Sequence, residues 1–222
     1  MQEVPFAFVW PVDEAGYQFV QVDPESGDPN KAGSNVLVRR GGPLRYYHPL
    51  DDESLWVRFA ENCRDSASAL QFANEYGRLG RSSEGPDNQL DHILETAAGL
   101  REIRGHLQVG DRKAATLCFS KSGLPTMKQV ILWYANEPER FRYRLLPLSL
   151  RDALLHQAGE AITGNRRFRR CRNEGCSNWF RLGPQASDAG RARTITARRE
   201  FCSDRCRVAS ARRREKEASP HA

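Results

Sequence analysis

Four of the six cysteines fall into two close pairs near the end of this 222-residue chain. Cys171 and Cys176 bracket four residues, Cys202 and Cys206 bracket three, and twenty-five residues separate the pairs. Thiolates at such spacings are the means by which a chain wraps a tetrahedral divalent ion. The opening Met-Gln-Glu-Val-Pro lacks the basic-then-apolar layout of a secretory signal, so a cytoplasmic location is expected. In that reducing setting paired cysteines read as ligands rather than crosslinks. Four thiolates would close the coordination shell, so the expected cofactor is one structural Zn2+ with no open position for catalysis. Cys63 and Cys118 stand singly in apolar surroundings and read as small core residues.

The residues around the pairs supply the positioning. Gly175, inside Arg172-Asn173-Glu174-Gly175, gives the backbone freedom that a tight loop needs to turn two sulfurs toward one ion. Trp179-Phe180 follow as a strand-like pair, and the polar stretch Gly183 to Arg193 reads as the turn of a hairpin. Ser203 is a natural helix N-cap, which places Cys202 just before the helix and Cys206 in its first turn, where the positive helix end favours thiolate. Knuckle, hairpin and ligand-bearing helix together describe a treble-clef zinc finger. About sixty residues bury too little surface to fold securely alone, so metal binding is expected to supply much of the folding free energy.

Beyond Cys206 the helix is expected to turn Val208, Ala209 and Ala211 inward. Arg205 and Arg212 lie seven apart on one face, Arg207 and Arg214 repeat that spacing, and Arg213 sits between them. Arg198 and Arg199 add to this surface, as do the arginines at 166, 167, 169 and 170. Residues 161–222 carry a net charge of +10 and residues 1–160 a net charge of −4, so the +6 of the whole chain hides a strongly basic end. That balance is the footprint of a nucleic-acid-binding module. The alternative reading is a zinc-stabilised adaptor whose basic helix meets an acidic protein.

The remainder reads as an α+β chain: a mixed α/β domain over residues 1–164, the zinc module over 165–214, and a disordered tail over 215–222. Phe6, Phe8 and Trp10, then Tyr17, Phe19 and Val20, flank a break at Asp13 to Gly16 and predict a β-hairpin, with a third strand over Val36 to Val38. Asp51 and Asp52 are the expected caps of a helix bearing Leu55, Trp56 and Phe59, and a second helix should stop at Gly77. The apolar spacing from Leu90 to Ile103 predicts a long core helix. Residues Ala114 to Phe119 and Val130 to Tyr134 fit strand or helix, Phe141 to Leu145 alternate like a strand, and Ser149 should cap a last helix ending at Gly164. His48, His92, His106 and His156 are scattered, and no nucleotide loop or zinc-protease motif is present, so no enzyme is expected. No run approaches the roughly 18 apolar residues that span a bilayer, so no membrane partner is expected.

The C-terminal residues resemble a known bacterial group, the ABATE-like proteins, in which an N-terminal α/β domain precedes a CGNR-type zinc finger. The likeness covers chiefly residues 164–214: Arg169-Arg170-Cys171, Cys176 with Trp179-Phe180, and Phe201-Cys202-Ser203-Asp204-Arg205-Cys206 before an arginine-rich helix. Phe72 to Gly80 and the segment Ser149 to Thr163 are also similar to members of that group. The resemblance implies a stress-induced transcription regulator that binds DNA rather than RNA, with the N-terminal domain sensing a ligand or partner. Where the family has Gly-Asn-Arg after the fourth ligand, this chain has Arg207-Val208-Ala209. Only the four cysteines carry over residue by residue.

Overall fold

A computed structural model describes residues 8–22, 33–81, 86–134, 137–164, 166–182 and 199–218. Four short strands open the chain: β1 (Trp10–Asp13), β2 (Tyr17–Gln21), β3 (Asn35–Arg39) and β4 (Leu44–Tyr47). The expected hairpin between the first two is not formed. β1 pairs antiparallel with β4, Trp10 opposite Tyr47, while β2 pairs with β3, Tyr17 opposite Arg39. Phe6 lies outside the described residues, and the third expected strand is β3.

Asp13 explains the changed pairing. Its carboxylate is buried and accepts hydrogen bonds from the backbone N–H groups of Ala15, Gly41 and Gly42 and from Arg39 Nε at 2.9 Å. It therefore ties the β1–β2 turn to the β3–β4 connection. A Cβ on Gly42 would sit 2.6 Å from that of Ala15, so only glycine permits the approach. Burial by itself would raise the Asp13 pKa, but the Arg39 guanidinium and the three N–H groups outweigh it and hold the carboxyl below its ordinary value. A lowered folded-state pKa gives stability that is present above the unfolded value and is lost as pH falls through the folded one. Asp13→Asn is thus expected to lower the urea midpoint at pH 7, and the gap to wild type should narrow as the pH falls toward about 3. A gap independent of pH in denaturation curves would contradict this role.

The core is helical. α1 (Leu55–Asn62), α2 (Ser66–Tyr76), α3 (Leu90–Val109), α4 (Arg112–Lys121) and α5 (Leu150–Thr163) pack with the strands around one apolar cluster that includes Trp56, Phe59, Leu100, Ile103, Leu154 and Leu155. Asp51 and Asp52 do not cap α1. Ser54 holds that position, and Asp52 Oδ1 accepts from its backbone N–H and its hydroxyl at 3.0 and 2.7 Å, a turn set one step ahead of the helix. The buried Gln157 on α5 completes the join by accepting from the Trp56 N–H and donating to the carbonyls of Pro49 and Asp52.

The other helix ends follow local chemistry. Asp65 and Ser68 form a capping box at α2, which ends at Gly77 in a positive-φ conformation. Ser149 caps α5, accepting from the Asp152 N–H and donating to the Asp152 carboxylate at 2.7 Å. Ala114 to Phe119 belong to α4, capped by Asp111, and the two later apolar runs form the antiparallel pair β5 (Met127–Tyr134) and β6 (Glu137–Pro147). No described helix is long and apolar enough to cross a membrane.

Beyond α5 come β7 (Phe168–Arg170), β8 (Trp179–Arg181) and α6 (Asp204–Ala218). β7 and β8 pair antiparallel, with Arg169 opposite Phe180. α6 continues through Ala218, so the tail expected to be disordered from Glu215 is helical in its first four residues. The β7–β8 pair is docked on the rest of the chain. Phe168 joins the core and meets Trp56 edge-on, with ring centroids 5.6 Å apart. Trp179 packs against the same cluster beneath the Arg104 guanidinium, 5.0 Å from its ring, and Arg181 pairs with Glu53 at 3.2 Å.

Candidate metal centre

Each cysteine is placed by backbone hydrogen bonds that the surrounding residues make locally. Cys171 follows β7 directly, and its N–H donates to the Asn178 carbonyl at 2.9 Å, closing a loop over the first pair. Inside that loop the Cys176 N–H donates to Asn173 O at 2.8 Å. The second pair is tied to the first by the Arg172 N–H, which donates to Glu200 O at 2.9 Å, and by the ion pair of the same side chains at 2.8 Å. Cys202 then lies against Cys171, its N–H 3.5 Å from the Cys171 sulfur. Ser203 precedes α6 as the sequence implies, and its hydroxyl accepts from the Cys206 N–H at 3.3 Å.

The outcome is a cluster of four thiols whose sulfurs all lie within 4.8 Å of one another. Cys202 is 3.7 Å from Cys176 and 3.5 Å from Cys206, sulfur to sulfur. A tetrahedral ion with metal–sulfur bonds of about 2.3 Å requires sulfur–sulfur edges of about 3.8 Å, whereas a disulfide would require about 2.05 Å. The spacing fits ligands and not crosslinks. Burial pushes the Cys202 thiol up to about 12, while hydrogen bonds, first from the Ser203 hydroxyl, draw Cys206 down to about 7. Four sulfurs this close cannot all ionise without a cation among them. The donor set suits a divalent ion held by sulfur alone.

The arginines singled out in the sequence separate into different environments. Arg205, Arg207, Arg212 and Arg214 are exposed on α6, with Arg207 beside Asp204 at 3.3 Å. Among the described residues Arg205, Arg212 and Arg214 have no acidic partner. Arg213 turns inward and pairs with Glu174 at 3.0 Å, pinning the helix to the loop between the first two cysteines. Arg199 lies over the Phe180 ring at 5.1 Å and donates to the carbonyls of Phe201 and Cys202, bracing the backbone of the cluster. Arg198 and the turn expected over Gly183 to Arg193 lie outside the described residues.

The inner face of α6 is also not the one that side-chain polarity suggests. Val208, Ala209 and Ala211 are exposed, and the less exposed positions are Cys206, Ser210 and Arg213, three and four residues apart. The place of Cys206 in the thiol cluster and the Arg213–Glu174 contact, rather than the aliphatic residues, set the rotation of the helix.

No protein-family model matches the chain, and no curated protein matches it. The residues quoted above alone carry the resemblance to the CGNR-type finger. Sequence reasoning missed Glu174 and Arg172, which link the two cysteine pairs, and Arg104, which covers Trp179. An acidic residue inside an otherwise basic segment is the signal that could have pointed to Glu174 and Glu200.

Proposed function

We propose that this chain is a zinc-stabilised nucleic-acid-binding protein, a DNA-binding transcription regulator whose treble-clef module presents α6 to the duplex. One observation carries the reading: α6 is anchored through Cys206 and Arg213, which leaves Arg205, Arg207, Arg212 and Arg214 exposed. At about 100° per residue, Arg205 and Arg212 form a row on one side of the anchored face, and Arg207 and Arg214 form a row on the other. Between the rows, facing away from the cluster, the ridge carries the small side chains of Val208 and Ala211 at its middle, with Asp204 at its start and Glu215 beyond them.

A major groove about 12 Å wide admits one α-helix, and its walls are phosphate backbones. A helix whose outer ridge is slim at its middle, with a cationic row along each flank, suits that groove better than it suits a flat acidic surface. The order of cysteines, aromatic pair and arginine helix, similar to the CGNR-type finger, supports the same reading. Arginine rows grip phosphates without selecting sequence, and the replacement of Gly-Asn-Arg by Arg207-Val208-Ala209 removes the family residues that could read bases.

Fluorescence-anisotropy titration of a labelled duplex by the intact chain tests this. Log affinity is expected to fall linearly with log salt, and Arg205→Ala with Arg212→Ala is expected to flatten the slope by about 2. Affinity unaffected by salt, or an unchanged slope in the double variant, would contradict the proposal.

A further inference from the structure

A second group of ligand-type side chains lies in the α3–α4 hairpin. Glu102 and His106 stand one helical turn apart on α3, with Glu102 Oε1 3.8 Å from His106 Nε2. The chain then reverses at Gly110, which has a φ of 85°, and Asp111 closes the turn by donating its N–H to His106 O at 2.9 Å. This reversal lays α4 along α3 and brings Cys118 to the same place. The carboxylate, the imidazole and the thiol each offer a donor atom, and all three atoms lie within 4.8 Å of one another. The site is graded from inside to outside: Cys118 is buried, His106 is half-buried and Glu102 is exposed.

We propose that Glu102, His106 and Cys118 form a second divalent-metal site, for zinc or a zinc-like ion, separate from the four-cysteine cluster. A tetrahedral ion bound at about 2.0–2.3 Å to oxygen, nitrogen and sulfur requires separations of about 3.3 Å between oxygen and nitrogen and about 3.6 Å from either to sulfur. The Glu102–His106 separation of 3.8 Å is about 0.5 Å longer than its edge, and a rotamer change in the solvent-facing Glu102 brings its carboxylate onto both of its edges. One thiolate and one carboxylate neutralise a dication, and the sulfur and nitrogen donors select zinc, cobalt or nickel over calcium and magnesium. Three protein ligands leave the fourth position to water, so this ion exchanges, in contrast to one enclosed by four thiolates. Bound there, it would clamp α4 to the end of α3. Arg112 at the start of α4 also donates to the carbonyls of Ile162 and Thr163, so the clamped α4 is tied to the end of α5.

Cobalt titration of the reduced, metal-stripped full chain tests the site. Wild type is expected to take up two equivalents: a first with an intense, sulfur-rich charge-transfer band, and a second with a weaker band of one-thiolate size. His106→Ala and Glu102→Gln change solvent-accessible side chains, and each is expected to abolish the second equivalent and leave the first spectrum intact. Cys118→Ser is expected to do the same, with circular dichroism confirming that it folds. Cys176→Ser, in contrast, is expected to disturb the first equivalent and spare the second. A single equivalent in wild type, or two equivalents retained by His106→Ala, overturns the proposal. A first equivalent indifferent to Cys176 would instead count against the four-cysteine centre alone.

Discussion

Cys202→Ser is expected to abolish metal retention at the four-cysteine centre and to melt β8 and α6, with α3 and α5 remaining folded. Cys202 has two sulfurs within 3.7 Å, its N–H faces the Cys171 sulfur, and its carbonyl is held by Arg199. A serine hydroxyl does not ionise near neutral pH, so it cannot replace the thiolate. Among its described side chains little else holds α6 in place: the outward ones are exposed, and the inner face rests on Cys206, Ser210 and the Arg213–Glu174 pair. In small zinc modules metal binding contributes on the order of 10 kcal/mol to folding, far more than one half-exposed ion pair can replace. Amide exchange is the suitable measurement. Loss of protection in α6 with α5 unchanged fits the account, and unchanged protection in α6 with metal still bound does not.

Phe168→Ala is expected to cost about 3–5 kcal/mol, the range for removing a buried phenyl ring, and to lower the urea midpoint of the whole chain. The reason is position. Phe168 lies beyond the end of α5, in the strand that leads into the first cysteine, yet its ring is buried against Trp56 at an interplanar angle of 90°. Trp56 is itself fully buried in the first turn of α1. Truncating Phe168 therefore opens a cavity between the helical core and the strand that leads into the cysteine cluster, and both should lose stability together. Protection in α1 that is identical to wild type would show that the Phe168–Trp56 contact does not support the core.

These two residues also mark how far the sequence could be read. Each cysteine pair, the Ser203 cap, the Ser149–Asp152 cap and the end of α2 at Gly77 depend on residues close together in the chain, and each was legible. Phe168 was not. It is one apolar residue in the basic run Arg166 to Arg172, and its partner Trp56 is more than a hundred positions away. The strand pairing failed to show for the same reason: alternation around Asp13 to Gly16 indicates strands but not partners, and the buried Asp13 carboxylate chose a nested arrangement over a hairpin. The rotation of α6 was likewise invisible, because aliphatic residues usually turn inward and here a ligand and an ion pair outrank them. Glu102, His106 and Cys118 appeared unrelated until the α3–α4 turn brought them together, although the four-residue spacing of the first two was in plain view.

The link between metal and nucleic acid is tested most directly by one measurement: duplex binding by the intact chain before chelation, after chelation, and after zinc is restored. Salt-dependent binding that is lost with the metal and recovered with zinc is the predicted result, because α6 loses its anchor without Cys206 and its partners. Equal affinity in the metal-free chain would show that the arginines act as an unstructured charge, and it would contradict a centre that exists to hold the helix in place.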